Sequence, residues 1–281
     1  MHKTVHQLAR GILLLALFAL AGCAEQPPAS ESILYHIQSA ENSAETSIWQ
    51  TGADGSNPTQ LVDFGWFADY SPDNARIAFG EFYSAGIWVV ETGKKNPTRL
   101  TDFGSSPDWS PDGKMIAFNS GGTAGAERFI WVMNVDGGGA RQISSVNGSF
   151  PDWSPDGTQI LFHGEVNNGI WRINPDGSGE TQLLLLGAYP AWSPDGKMIA
   201  YQSLEDYCIW VMNADGTGAR KINDHSGSQP AWSADGTRIA YKSAWRDMDG
   251  KLAGEGIWVV NLDGSGNRMI VKNGRNPDWS N

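Results

Sequence analysis

Residues 109–118, Trp-Ser-Pro-Asp-Gly-Lys-Met-Ile-Ala-Phe, and residues 130–137, Ile-Trp-Val-Met-Asn-Val-Asp-Gly, decide the architecture, because both segments recur along the chain. The first signature is anchored at Trp109, Trp153, Trp192 and Trp232. Tyr70 takes the tryptophan's place in Tyr70-Ser71-Pro72-Asp73-Asn74, and Pro277-Asp278-Trp279-Ser280 carries the last copy. The second signature, Ile-Trp ahead of a turn, is centred on Trp49, Trp88, Trp131, Trp171, Trp210 and Trp258. Their successive spacings are 39, 43, 40, 39 and 48 residues. Self-similarity at such a period marks a repeat architecture, and six copies of each signature predict six units.

Each unit divides into four short strands, A to D. Strand A ends in the Trp-Ser pair, strand B carries the Ile-Ala-Phe triplet, and strand C carries Ile-Trp. Strand D is a short run such as Ala219-Arg220-Lys221-Ile222. Ser-Pro-Asp-Gly between A and B suits a tight turn: proline presets φ, and glycine accepts positive φ. Asp-Gly pairs at 54–55, 136–137, 176–177, 215–216 and 263–264 do the same between C and D. Four-stranded units of about 40 residues match propeller blades. Ile33-Leu34-Tyr35 reads as a B strand without its A strand, and 276–280 as an A strand without its B strand. Together they complete one blade, close the ring, and remove the exposed edges of an open array. The expected fold is all-β, a six-bladed β-propeller of four-stranded antiparallel blades over 33–281.

Composition narrows the function classes. A formal charge of −11 leaves too few free Lys and Arg to grip phosphates, so nucleic acid is excluded as a partner. Lys3 and Arg10 precede the apolar run 11–20, and Leu20-Ala21-Gly22-Cys23 follows, which reads as a signal peptide over 1–22. The Leu-Ala-Gly-Cys ending resembles the lipobox of bacterial lipoproteins. That resemblance implies an acylated Cys23, a tether over 23–32, and anchoring to the membrane through the N-terminal lipid. It also implies a location on the periplasmic side of the outer membrane in a host with two membranes. Cys208, next to Ile209-Trp210, is expected to be a buried thiol.

The Trp-Ser-Pro-Asp-Gly … Ile-Ala-Phe … Ile-Trp-Val-Met-Asn-x-Asp-Gly unit resembles the PD40, or WD40-like, repeat of the TolB propeller over about residues 33–281. In TolB an α/β domain precedes the propeller, and only a short tether stands in that place here. The resemblance implies a stand-alone, monomeric propeller that binds another envelope protein.

No metalloprotease, hydrolase-elbow or phosphate-loop motif is present, and a non-enzyme is expected. Eleven of the 13 tryptophans belong to the two signatures and are expected to pack between blades; Trp66 and Trp245 do not. Trp66 and Phe67 fall in the expected D-to-A connection, and Trp245 in the longest B-to-C insertion. Those connections emerge on one face, and tight turns occupy the other. Phe82, Tyr83, Phe150, Tyr189 and Tyr207 fall on or near the variable face, where aromatics on a rigid scaffold are typical recognition anchors. Asp69, Asp108, Asp152 and Asp278 precede the strand A aromatic in four consecutive blades. They are expected to form an arc at the central channel that either bonds backbone in the adjacent blade or holds a structural Ca²⁺. No other cofactor is expected. The leading expectation is a protein-binding scaffold. The alternative is a module that binds, or cleaves as a lyase, polysaccharide or peptidoglycan fragments, because aromatics also stack on sugar rings.

Overall fold

The computed structural model describes residues 31–39, 46–81, 86–121, 127–166, 168–246 and 252–280. Strands β1 (Ser32–Gln38), β2 (Thr46–Gly52) and β3 (Thr59–Val62) open the chain. The second blade is β4 (Trp66–Tyr70), β5 (Arg76–Gly80), β6 (Ile87–Glu91) and β7 (Thr98–Arg99). The third is β8 (Ser105–Trp109), β9 (Met115–Asn119), β10 (Ile130–Asn134) and β11 (Arg141–Gln142). The fourth is β12 (Gly148–Trp153), β13 (Ile160–Gly164), β14 (Gly169–Ile173) and β15 (Thr181–Leu185). The fifth is β16 (Gly187–Trp192), β17 (Met198–Ser203), β18 (Ile209–Asn213) and β19 (Arg220–Lys221). The sixth is β20 (Ser228–Trp232), β21 (Arg238–Arg246), β22 (Leu252–Asn261) and β23 (Arg268–Lys272). The last strand, β24 (Gly274–Trp279), pairs with β1, so the first blade has the order β24-β1-β2-β3. All pairings are antiparallel, and the expected six blades and ring closure are both present.

The triplet on strand B explains the core. Its first and third residues lie on one side of the strand and its second on the other, so each B strand is buried on both faces. Ile116, Ala117 and Phe118 are all 0 % exposed. Six buried clusters fill the six gaps between neighbouring blades; one joins Ala117, Ile130 and Val132 of the third to Trp153, Ile160 and Phe162 of the fourth. Each fully buried large side chain contributes about 1.5–3 kcal/mol. The Ser-Pro-Asp-Gly turns are held by their own side chains. Ser154 Oγ donates to Asp156 Oδ1 at 2.6 Å, while Gln159 N–H donates back to Ser154 Oγ at 2.9 Å. Cys208 is buried, as expected.

Candidate functional site

The six A strands, β24, β4, β8, β12, β16 and β20, surround a central cavity of about 420 Å³. Each carries an irregularity that its sequence does not announce. Three residues before the strand A aromatic stand Phe67, Ser106, Phe150, Tyr189, Gln229 and Asn276, all with φ between 48° and 56°. Pairing with the B strand shifts register at this point in every blade, which is the mark of a bulge. The bulge re-aims the side chain, and all six residues line the cavity.

Phe67 and Phe150 meet at 5.2 Å between ring centroids, and Phe150 meets Tyr189 at 4.5 Å. They come from the second, fourth and fifth blades, and the small Ser106 of the third leaves room for the meeting. Trp66 packs on Phe67 at 4.7 Å, and His36 and His163 flank the cluster at 6.1 and 6.3 Å. This corrects the expected placement of Trp66 and Phe67 in a connecting loop. Both belong to β4, as Phe150 belongs to β12 and Tyr189 to β16, and the three cavity-lining rings pack on one another within the channel. Burial, with Arg275 and Lys242 adding repulsion, lowers the His36 imidazole to about 3. Burial also lowers His163, opposed by Glu165.

Farther along the axis the structure brings together Asp69, Asp108, Asp152 and Asp278. Each carboxylate accepts a backbone N–H from the next blade: Trp109 to Asp69 at 2.7 Å, Trp153 to Asp108 at 2.6 Å, Trp192 to Asp152 at 2.7 Å, and Tyr70 to Asp278 at 3.1 Å. The arc therefore staples four blade junctions. Burial, then mutual repulsion, pushes Asp69 and Asp108 well above the usual carboxylate range. Asp152 and Asp278 are pushed up to about 7, chiefly by burial. Among the described residues no three or more His, Cys, Asp or Glu side chains are grouped so that they could hold a metal ion.

Exposed apolar side chains gather elsewhere. Val166 is 69 % exposed, Leu185 65 %, Leu186 45 % and Tyr207 58 %. Their segments are tied side by side: Gly187 N–H donates to Asn168 O at 3.0 Å, and Leu204 N–H to Leu186 O at 2.8 Å. Val166 and Tyr207 lie in the B-to-C connections of the fourth and fifth blades, Leu185 ends β15, and Leu186 lies in the D-to-A connection that follows, all on the variable face. The opposite face carries the turns, whose Asp side chains are committed to turn bonds. Asp195, bonded by the Ser193 hydroxyl and by Lys197, is held at about 2. Among the described residues, Tyr207 is the exposed aromatic of the expected set. Phe82, Tyr83 and Cys23 lie outside the described residues, as does the Trp245 side chain.

Val166, Leu185 and Leu186 were not singled out by the sequence, although Leu183-Leu184-Leu185-Leu186 is a conspicuous run where other units have one to three apolar residues. A second missed signal is a glycine five residues before each strand A aromatic: Gly65, Gly104, Gly148, Gly187, Gly227 and Gly274. A Cβ at Gly104 would sit 2.5 Å from Phe118.

No protein-family profile matches the chain, and no curated protein matches it. Solved structures do. TolB from Acinetobacter baumannii superposes with a TM-score of 0.75 at 20 % identity, covering 89 % of this chain and 67 % of that one. A chain of the nidogen/laminin complex gives 0.66 at 12 %, covering 89 % and 98 %. An oligogalacturonate lyase from Vibrio parahaemolyticus gives 0.53 at 14 %, covering 81 % and 76 %. The protein has the six-bladed propeller fold seen in TolB.

Proposed function

We propose that the protein is a non-enzymatic, lipid-anchored scaffold of the cell envelope that binds another protein through the variable face of the propeller. The observation that carries this reading is the asymmetry of the two faces. One carries tight turns, Ser-Pro-Asp-Gly or its variants Ser71-Pro72-Asp73-Asn74 and Ser233-Ala234-Asp235-Gly236 between A and B, and Asp-Gly or Thr92-Gly93 between C and D. The other bears Val166, Leu185, Leu186 and Tyr207, four of the five exposed large apolar side chains among the described residues. Contiguous apolar surface of this kind marks interaction sites. Support comes also from the fold's presence in a protein–protein complex, that of nidogen with laminin. The lipobox at Cys23 supplies the envelope address. Catalysis is disfavoured because the cavity's carboxylates are bonded to backbone, and among the described residues no histidine lines it, His36 and His163 standing instead beside the packed ring cluster.

Photo-crosslinking from positions 186 and 207 in intact membranes, followed by identification of the captured protein, tests the reading. A single envelope protein captured by the wild type and lost with Tyr207→Ala, at unchanged melting temperature, is expected. Binding of glycan fragments in place of any protein, abolished by the same substitution, would overturn it.

A further inference from the structure

We infer that the outer edge of β15, with the apolar patch in which it ends, receives an extended segment of a partner chain that is apolar and basic. The inference rests on the scaffold reading and names the chemistry of its partner. Strand β15 is the outermost strand of the fourth blade. An outer edge presents backbone groups that can pair with another strand, and proteins guard such edges with short length and charge. The corresponding strands follow that practice. Strands β7, β11 and β19 have two residues each, and every one includes Arg or Lys. Strand β23 is five residues long and carries charge at both ends, as Arg268 and Lys272. Strand β3 is uncharged but has four residues. Only β15, Thr-Gln-Leu-Leu-Leu, is both five residues long and uncharged. It runs directly into the patch of Leu185, Leu186, Val166 and Tyr207.

Charge selects the occupant. Glu165 adjoins Val166, Glu205 and Asp206 adjoin Tyr207, and Asp224 stands in the connection that Gly227 N–H ties to Tyr207 O at 2.7 Å. Arg128 neutralises Glu165 at 2.8 Å and Lys221 neutralises Asp206 at 3.2 Å, which leaves Glu205 and Asp224 as the carboxylates of this set without an ion pair among the described residues. Glu205 and Asp224 are exposed. An acidic rim around an apolar strip matches a segment that alternates apolar side chains with Lys or Arg, and that pairs with the edge as an added strand. A second copy of this chain would set the same carboxylates against each other, and a formal charge of −11 opposes that approach.

The test adds a synthetic peptide of alternating valine and lysine to the full chain, with a valine–glutamate peptide as control. Hydrogen exchange of residues 181–186 and peptide fluorescence anisotropy are the readouts. Expected are slowed exchange confined to 181–186 with the lysine peptide alone, and at least tenfold weaker binding to Leu185→Asp. That substitution adds negative charge at an exposed position, so attraction by charge alone would make binding tighter. Tighter binding, equal binding of the glutamate peptide, protection elsewhere, or a dimer in sedimentation that Leu185→Asp dissolves would each overturn the inference. Capture of an envelope protein unaffected by Leu185→Asp would overturn it and leave the scaffold reading standing. Protection of β15 with no envelope protein captured would uphold this surface and sink only the scaffold reading.

Discussion

Asp152 shows how one side chain serves the fold at a cost that depends on pH. Its carboxylate joins the fourth blade to the fifth through Trp192 N–H, yet burial, reinforced by Asp278, holds it at about 7 against an ordinary 3.8. Between those two values the folded chain keeps a proton that the unfolded chain releases. Stability therefore falls as pH rises through about 4 to 7, and stays reduced above it. Asp152→Asn keeps an oxygen to accept the N–H and removes the charge. Because the channel admits solvent, only part of the shift is expected as stability, about 1–2 kcal/mol, or roughly 2–8 °C in melting temperature. Calorimetry should show that gain at pH 8 and none at pH 4.5; an equal difference at both would contradict the account. Phe150 makes a complementary case. A free surface anchor costs little to truncate, within about 0.5 kcal/mol, whereas a ring packed on two others costs about 1–3 kcal/mol as alanine. Urea unfolding of Phe150→Ala should return the larger figure.

At the scale of the element, the A strand holds more information than its Trp-Ser-Pro-Asp-Gly ending displays. The tryptophan period, the turn residues and the Ile-Ala-Phe burial were legible because each is a repeated residue type with one physical role. The bulge was not. Its left-handed position is filled by Phe, Ser, Phe, Tyr, Gln and Asn, six choices made by what faces the channel and not by backbone preference. Hence Phe67, Phe150 and Tyr189 read as loop aromatics when the bulge turns them inward. The glycine two residues earlier was the available clue, since it recurs in all six units. At Gly104 φ is +98°, and a Cβ would lie 2.5 Å from Phe118, whereas Gly93, at φ +80°, has open space. Gly93→Ala should thus cost about 1 kcal/mol for its backbone alone. Gly104→Ala should cost more than about 2 kcal/mol, because the ring beside it is fully buried and has nowhere to go. Comparing the two by chemical denaturation separates conformational strain from collision.

For the whole molecule the question is what the seam between β24 and β1 contributes. Ile33 and Leu34 pair with Trp279 and Asp278. Ser32 N–H donates to Ser280 Oγ at 3.0 Å, and Ser280 N–H returns to Ser32 O at 2.9 Å. Asp278 then reaches Tyr70 of the second blade, and Arg238 of the sixth lies over Trp279 at 5.0 Å. One terminal strand thereby touches three blades. Its loss would uncover the buried β1 edge and break two junctions at once, so deletion of residues 274–280 should abolish the cooperative thermal transition and yield aggregation-prone chain. The seam's location is, by contrast, arbitrary, since every A–B turn has the same geometry. Joining residue 280 to residue 31 with a short Gly-Ser linker, and opening the chain between Asp156 and Gly157, moves the seam to the fourth blade while keeping every strand pairing. That permutant should melt cooperatively within a few degrees of the parent, the difference being the lost turn bonds of Ser154 and Asp156, about 1 kcal/mol each. A permutant that fails to fold would show instead that this one blade organises the others, and that the six units are equal in sequence but not in their part in folding.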